Sequence, residues 1–116
     1  MRKRIDKPWG YEELIELNES YAVKFLFMKK GNQCSLQHHK HKTETLMVLE
    51  GELEVFYDNE WKTYKKNDYL TILPNEIHRM KAVNSDCLYM ECSTTELDDV
   101  VRHEDDFERK KILIKN

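Results

Sequence analysis

Short runs rich in Val, Phe, Tyr, Leu and Ile recur along this chain, each ended by turn chemistry, and no stretch in its middle holds a helical period. That pattern restricts the fold to many short strands packed face to face. The runs predict strands at Tyr11 to Leu17, Tyr21 to Lys29, Cys34 to Gln37, Glu44 to Leu49, Glu52 to Tyr57, Trp61 to Tyr64, Tyr69 to Leu73, Ile77 to Ala82 and Leu88 to Cys92. Between them lie Lys30-Gly31-Asn32, Glu50-Gly51, Asp58-Asn59, Lys66-Asn67-Asp68, Pro74-Asn75 and Asn84-Ser85-Asp86, all residues suited to turns. Strands of this length and spacing predict an antiparallel sandwich or barrel, which also limits exposed sheet edges. Beyond Ser93 the chain turns acidic, through Glu96, Asp98 and Asp99. There a short strand is expected near Val100-Val101, with a closing helical turn toward Arg109-Lys110-Lys111.

At 116 residues the chain has room for one core, so one domain over 1–116 is expected. Charged residues make up 35% of it, but the net charge of −3 mixes both signs, and no basic stripe runs along an aromatic platform. A nucleic-acid partner is therefore not expected. No apolar run reaches the ~20 residues that cross a bilayer, and Met1-Arg2-Lys3-Arg4-Ile5-Asp6 lacks the apolar stretch of a signal peptide. The expectation is a cytoplasmic protein without a membrane partner. The three cysteines, Cys34, Cys87 and Cys92, are odd in number and lack metal-knuckle spacing, which predicts small buried thiols. Trp9 reads as a core or dimer-contact residue, Tyr11, Phe25, Phe27, Phe56, Tyr69 and Ile72 as packing, and Glu12 and Glu13 as exposed.

The stretch Gln37-His38-His39-Lys40-His41-Lys42-Thr43-Glu44 packs three histidines, a carboxamide and a carboxylate into eight residues. A strand projects residues two apart onto one face, so Gln37 and His39 point together while His38 points away. A turn at Lys40 to Thr43 returns Glu44 toward the same spot, and a turn at Pro74-Asn75 swings His78 inward. Two nitrogen and two oxygen ligands suit Zn²⁺ and are acceptable to Mn²⁺, Fe²⁺ or Co²⁺. His41 is a rival ligand, because His39-x-His41 is also a spaced histidine pair. The competing reading is a set of polar residues on a barrel rim, with Lys40 and Lys42 in a solvated turn and His38 and His103 at the surface.

These residues resemble the cupin superfamily. Its first motif runs Gly, five residues, His-x-His, three or four residues, Glu, six residues, Gly, and this chain matches it from Gly31 through Gln37-x-His39 and Glu44 to Gly51, with Gln37 for the first histidine. That spacing favours Gln37 over His41. Leu73-Pro74-Asn75-Glu76-Ile77-His78 stands in place of the second motif, Pro-x-Gly-x-x-His, with Asn75 at the glycine. Ala82 stands where that motif continues to an asparagine. Asn tolerates the left-handed backbone such a turn needs.

A narrower resemblance rests on Lys7-Pro8-Trp9-Gly10-Tyr11-Glu12, Val23-Lys24, Ser35-Leu36-Gln37-x-His39-x-His41-Lys42-x-Glu44, Ile77-His78-Arg79 and Asp98-Asp99-Val100-Val101-Arg102-x-Glu104-Asp105. These look like the cupin domain of type II phosphomannose isomerases, which often follows a mannose-1-phosphate guanylyltransferase domain. The resemblance implies an all-β fold, a single cupin (double-stranded β-helix, jelly-roll-like) barrel. It also implies a Gln37, His39, Glu44, His78 zinc set, because the otherwise dissimilar type I phosphomannose isomerases use those four ligand types. Thr45 and Ser93 depart from the family, which has His and Gln there.

Isomerisation of mannose 6-phosphate to fructose 6-phosphate moves a proton between C1 and C2 through an enediol, so it needs a base beside an electrophile. Tyr89, Glu91 and Ser93 alternate with Leu88, Met90 and Cys92, and Glu91 is the expected base, with a carboxylate paired to Lys24 as the competing reading. Lys24, Lys42, Arg79 and Arg102 are candidate phosphate anchors; guanidinium suits a bidentate phosphate contact better than ammonium, and Arg79 ranks first because it directly follows a proposed ligand. Two other functions remain in view, a non-catalytic cupin binding a sugar or nucleotide sugar and an iron-dependent oxygenase. A homodimer is expected by analogy with the family.

Overall fold

The structure is a computed structural model and describes residues 2–105, all of whose regular elements are strands. They are β1 (Lys3–Lys7), β2 (Gly10–Leu17), β3 (Ala22–Met28), β4 (Leu36–His38), β5 (Glu44–Glu50), β6 (Leu53–Tyr57), β7 (Glu60–Tyr64), β8 (Tyr69–Ile72), β9 (His78–Lys81), β10 (Cys87–Ser93) and β11 (Val101–Glu104). A six-stranded antiparallel sheet, ordered β1-β2-β3-β10-β5-β8, faces a five-stranded one, ordered β11-β4-β9-β6-β7. The barrel is thus two facing sheets, a jelly-roll sandwich. No helix is long and apolar enough to cross a membrane among the described residues.

Alternation explains which face goes inward. Along β3, Ala22, Lys24, Leu26 and Met28 are buried while Val23, Phe25 and Phe27 are half-buried. β5 and β10 repeat the pattern, with Glu44, Leu46 and Val48 buried on one and Cys87, Tyr89 and Glu91 on the other. Their apolar members join Leu53, Val55, Ile72 and Met80 in the core. At one end of this interior the buried side chains change from apolar to Lys24, His39, Lys42, Glu44, His78 and Glu91.

The turns follow their residues. Tyr57 pairs with Glu60 across Asp58 and Asn59, whose φ of 54° and 62° are those of a tight hairpin turn. Asn75 adopts φ 70°, the left-handed backbone expected of it. Gly51 has φ 79°, and a Cβ there would meet the Asp86 carbonyl oxygen at 2.1 Å.

Several expectations need correction. β1 was not anticipated: its sequence, Lys-Arg-Ile-Asp-Lys, alternates poorly and is exposed, and pairing with β2 makes it a strand. Cys34 and Cys87 are buried, but Cys92 points outward and is exposed. Tyr69 does not pack into the core, being 65% exposed on β8, the edge strand. Trp9 is a core residue. The strand expected at Val100-Val101 is β11, which begins one residue later, and the helical turn expected at Arg109-Lys110-Lys111 lies outside the described residues.

Candidate metal centre

Three chain segments deliver the site. His39 directly follows β4, Glu44 opens β5, and His78 opens β9. β4 and β9 belong to the five-stranded sheet, where Gln37 pairs with His78, while β5 belongs to the other. The Asn75 turn docks onto this array, its backbone N–H donating to the His39 carbonyl at 2.6 Å. Glu76 clamps the same turn, its carboxylate accepting from the Leu73 N–H and the Tyr57 hydroxyl, each at 2.7 Å.

Both imidazoles are oriented from behind. His39 Nδ1 hydrogen-bonds the Asp99 carbonyl, and His78 Nδ1 donates to the Glu76 carbonyl at 2.9 Å. A carbonyl only accepts, so each Nδ1 carries the proton and each Nε2 presents a lone pair. These Nε2 atoms are buried without a hydrogen-bond partner. They face Glu44, whose Oε1 lies 3.6 Å from His39 Nε2 and whose Oε2 lies 3.8 Å from His78 Nε2. Ligands about 2.1 Å from a tetrahedral ion sit roughly 3.4 Å apart, so the spacing fits a divalent ion. Two unpaired buried lone pairs beside a carboxylate are what such an ion would satisfy. Gln37 lines the adjoining cavity, its Oε1 accepting from the Ser35 hydroxyl at 2.6 Å.

The electrostatics suit ligation. Burial, then the Lys42 ammonium, push the His39 imidazole down to about 4, and burial also lowers His78. Burial works to raise the Glu44 carboxyl, but the Lys42 ammonium at 3.1 Å favours the carboxylate, and Glu44 is held below its ordinary value. At neutral pH the site therefore holds two neutral imidazoles and one carboxylate, the protonation states a metal requires.

A cavity of about 100 Å³ adjoins this cluster, lined among others by Glu12, Lys24, Gln37, Lys42, Glu91 and Arg102. Glu91 is buried as alternation predicts, and burial together with Glu44 pushes its carboxyl up to about 8. Lys24 stands opposite Glu91 in register, but its ammonium reaches Glu12 at 3.1 Å.

Not every candidate belongs here. His41 is exposed and lies outside the His39, Glu44, His78 cluster. Arg79 does not line the cavity: alternation turns it away from His78, and its Nε donates to the Cys34 carbonyl at 2.8 Å. Lys42 is buried against Glu44, not solvated, and Glu12 is part-buried between Lys24 and Lys7. His38 and His103 are part-buried and hydrogen-bond each other at 2.8 Å. Thr45 lies on the outer face, bonded to Thr71, so that family departure does not touch the site. Sequence reasoning missed Asp99, whose carboxylate accepts the backbone N–H groups of Lys40, His41 and Lys42. Nothing in the acidic run Asp98-Asp99 distinguished it. Glu12 was legible in principle, since it shares the inward parity of Leu14 on β2.

Two facing antiparallel sheets with a His, Glu, His cluster at one end of the interior define a cupin. The fold is similar to that of KdgF from Halomonas sp., with a TM-score of 0.76 at 15% identity over 83% of this chain and 88% of that one. An RmlC-like cupin from Shewanella frigidimarina matches with a TM-score of 0.73 at 16% identity over 84% and 86%. The chain belongs to the mannose-6-phosphate isomerase C-terminal family, whose model matches residues 1–109. Among curated relatives it is 31% identical to the mannose-1-phosphate guanylyltransferase ManC of Salmonella typhimurium, over 94% of this chain and 24% of that protein. It is 30% identical to the xanthan biosynthesis protein XanB of Xanthomonas campestris, over 92% and 24%. The chain thus spans about a quarter of the length of these relatives.

Proposed function

We propose that this cupin is a metal-dependent sugar-phosphate isomerase that interconverts mannose 6-phosphate and fructose 6-phosphate, with zinc held by His39, Glu44, His78 and Gln37. The observation that carries this reading is the pair of buried, unpartnered Nε2 atoms facing Glu44 beside a second buried carboxylate, Glu91. Membership of the isomerase C-terminal family supports the substrate class. The ion, when bound, supplies electrophilic polarisation of the sugar's carbonyl and hydroxyl oxygens. In its ionised form Glu91, on β10 and lining the same cavity, takes the proton from C2 of the aldose and returns it to C1 of the enediol, while a proton passes from O2 to O1. Arg102 lines the cavity and Arg79 does not, so Arg102 replaces Arg79 as the leading phosphate anchor. The active form is a homodimer.

Metal analysis of purified protein and an assay of fructose 6-phosphate formation from mannose 6-phosphate test this. Stoichiometric zinc with turnover is expected. Bound sugar phosphate without turnover would instead identify a binding module, and iron with oxygen uptake an oxygenase.

A further inference from the structure

The loop that joins the first two histidine and carboxylate ligands has no ladder of its own. His39 ends the β4 side and Glu44 opens β5, so residues 40–43 cross from one sheet to the other. A segment outside a ladder must find other acceptors for its N–H groups. Here one side chain supplies three of them. Asp99 Oδ1 accepts from Lys40 N–H at 3.0 Å, and Asp99 Oδ2 accepts from His41 at 2.7 Å and from Lys42 at 3.0 Å. The fourth, Thr43 N–H, goes to the Thr94 hydroxyl at 3.1 Å, and Thr94 N–H returns a bond to the Thr43 carbonyl at 3.0 Å. The backbone carbonyl of the same Asp99 accepts the Nδ1 proton of His39. β11, which follows directly, pairs Val101 with His38 and so keeps the segment in place.

We infer that Asp99 is the positioning residue of this site, setting through one carboxylate the His39-to-Glu44 spacing and through its own carbonyl the tautomer that aims His39 Nε2 at the ion. The inference rests on the proposal that the cluster holds a metal. The two actions are linked, because the three N–H bonds anchor the side chain and the anchored residue presents its carbonyl. Asn in its place retains one acceptor oxygen, which can serve the two N–H groups that share Oδ2, but turns an NH₂ donor toward the Lys40 N–H, so the shape survives and the clamp loses a bond and its charge. Partners of this kind behind metal ligands typically set affinity by about 10- to 100-fold.

The test compares wild type, Asp99→Asn and Thr94→Ala. Zn²⁺ affinity is measured by calorimetric titration, the visible absorption of the Co²⁺-loaded protein reports ligand geometry, and imidazole ¹⁵N shifts of metal-free protein report the His39 tautomer. Asp99→Asn is expected to lose about 10- to 100-fold in Zn²⁺ affinity, with an altered Co²⁺ spectrum and mixed His39 tautomers. Thr94→Ala, which removes one loop bond and leaves Asp99 in place, is expected to keep the wild-type spectrum and tautomer. Equal Zn²⁺ affinity in wild type and Asp99→Asn overturns the inference while leaving the metal reading intact. A wild type that binds neither Zn²⁺ nor Co²⁺ overturns the metal reading first, and this one with it. Should Asp99→Asn fail to fold, the wild-type ¹⁵N shifts decide alone: a proton on Nε2 of His39 overturns the inference.

Discussion

Glu91 is held in a state that water would not allow. Its carboxyl has an ordinary value of 4.5 and a folded value of about 8, for which burial and then Glu44 are responsible. Between those two pH values the folded chain binds more protons at this residue than the unfolded chain does. Raising the pH through that window therefore removes stability from the metal-free fold, and the contribution is lost once pH passes about 8. In chelator-treated protein, urea denaturation at pH 5 and pH 8 is expected to show a smaller fall for Glu91→Gln than for wild type. The same variant is expected to bind zinc normally and to lose turnover in the fructose 6-phosphate assay. The two arginines separate in a similar way. Arg79 is buried with Nε on the Cys34 carbonyl, so Arg79→Ala is expected to lose about 1–3 kcal/mol in chemical denaturation with an unchanged KM. Arg102→Ala, by contrast, is expected to raise KM about 10-fold, equivalent to one charge-assisted hydrogen bond.

At the scale of the elements, the turn before β9 shows how a small backbone choice places His78. Asn75 at φ 70° sends its N–H to the His39 carbonyl and lets the chain re-enter the sheet at His78. Asn75→Ala is expected to lower stability by about 1–2 kcal/mol in thermal melts and to weaken zinc binding, whereas Asn75→Gly retains both. Strands with clear alternation, such as β3, β5 and β10, were legible because burial of one face demands a period of two. β1 was not, since it owes its existence to an edge pairing and not to a buried face. The convergence of His39, Glu44 and His78 was legible through motif spacing. Asp99 was not, because its bonds span 57 to 59 residues, and Lys42 was legible as a candidate but not as a buried partner of Glu44.

For the whole molecule, the outer face of the six-stranded sheet is unusual. Solvent-facing positions of an antiparallel sheet are commonly polar, yet Tyr11, Phe25, Phe27, Met47, Leu88 and Met90 lie together there in register. The charges at its β1 margin pair with one another, Arg2 with Glu13 at 3.0 Å and Arg4 with Asp6 at 3.2 Å. Strand spacing and rise give the face roughly 500 Å² in projection, the same order as the ~800 Å² per partner of a standard interface. Light scattering is expected to report a dimer for wild type and a monomer for Met90→Glu, and a monomeric wild type would count against the homodimer. The two halves of the sandwich meet at the cluster as well, since imidazoles from one and a carboxylate from the other close on the same point. An ion there acts as a rivet through both plates, so the melting temperature should climb with free zinc, and the occupied site should be among the last places the molecule comes apart.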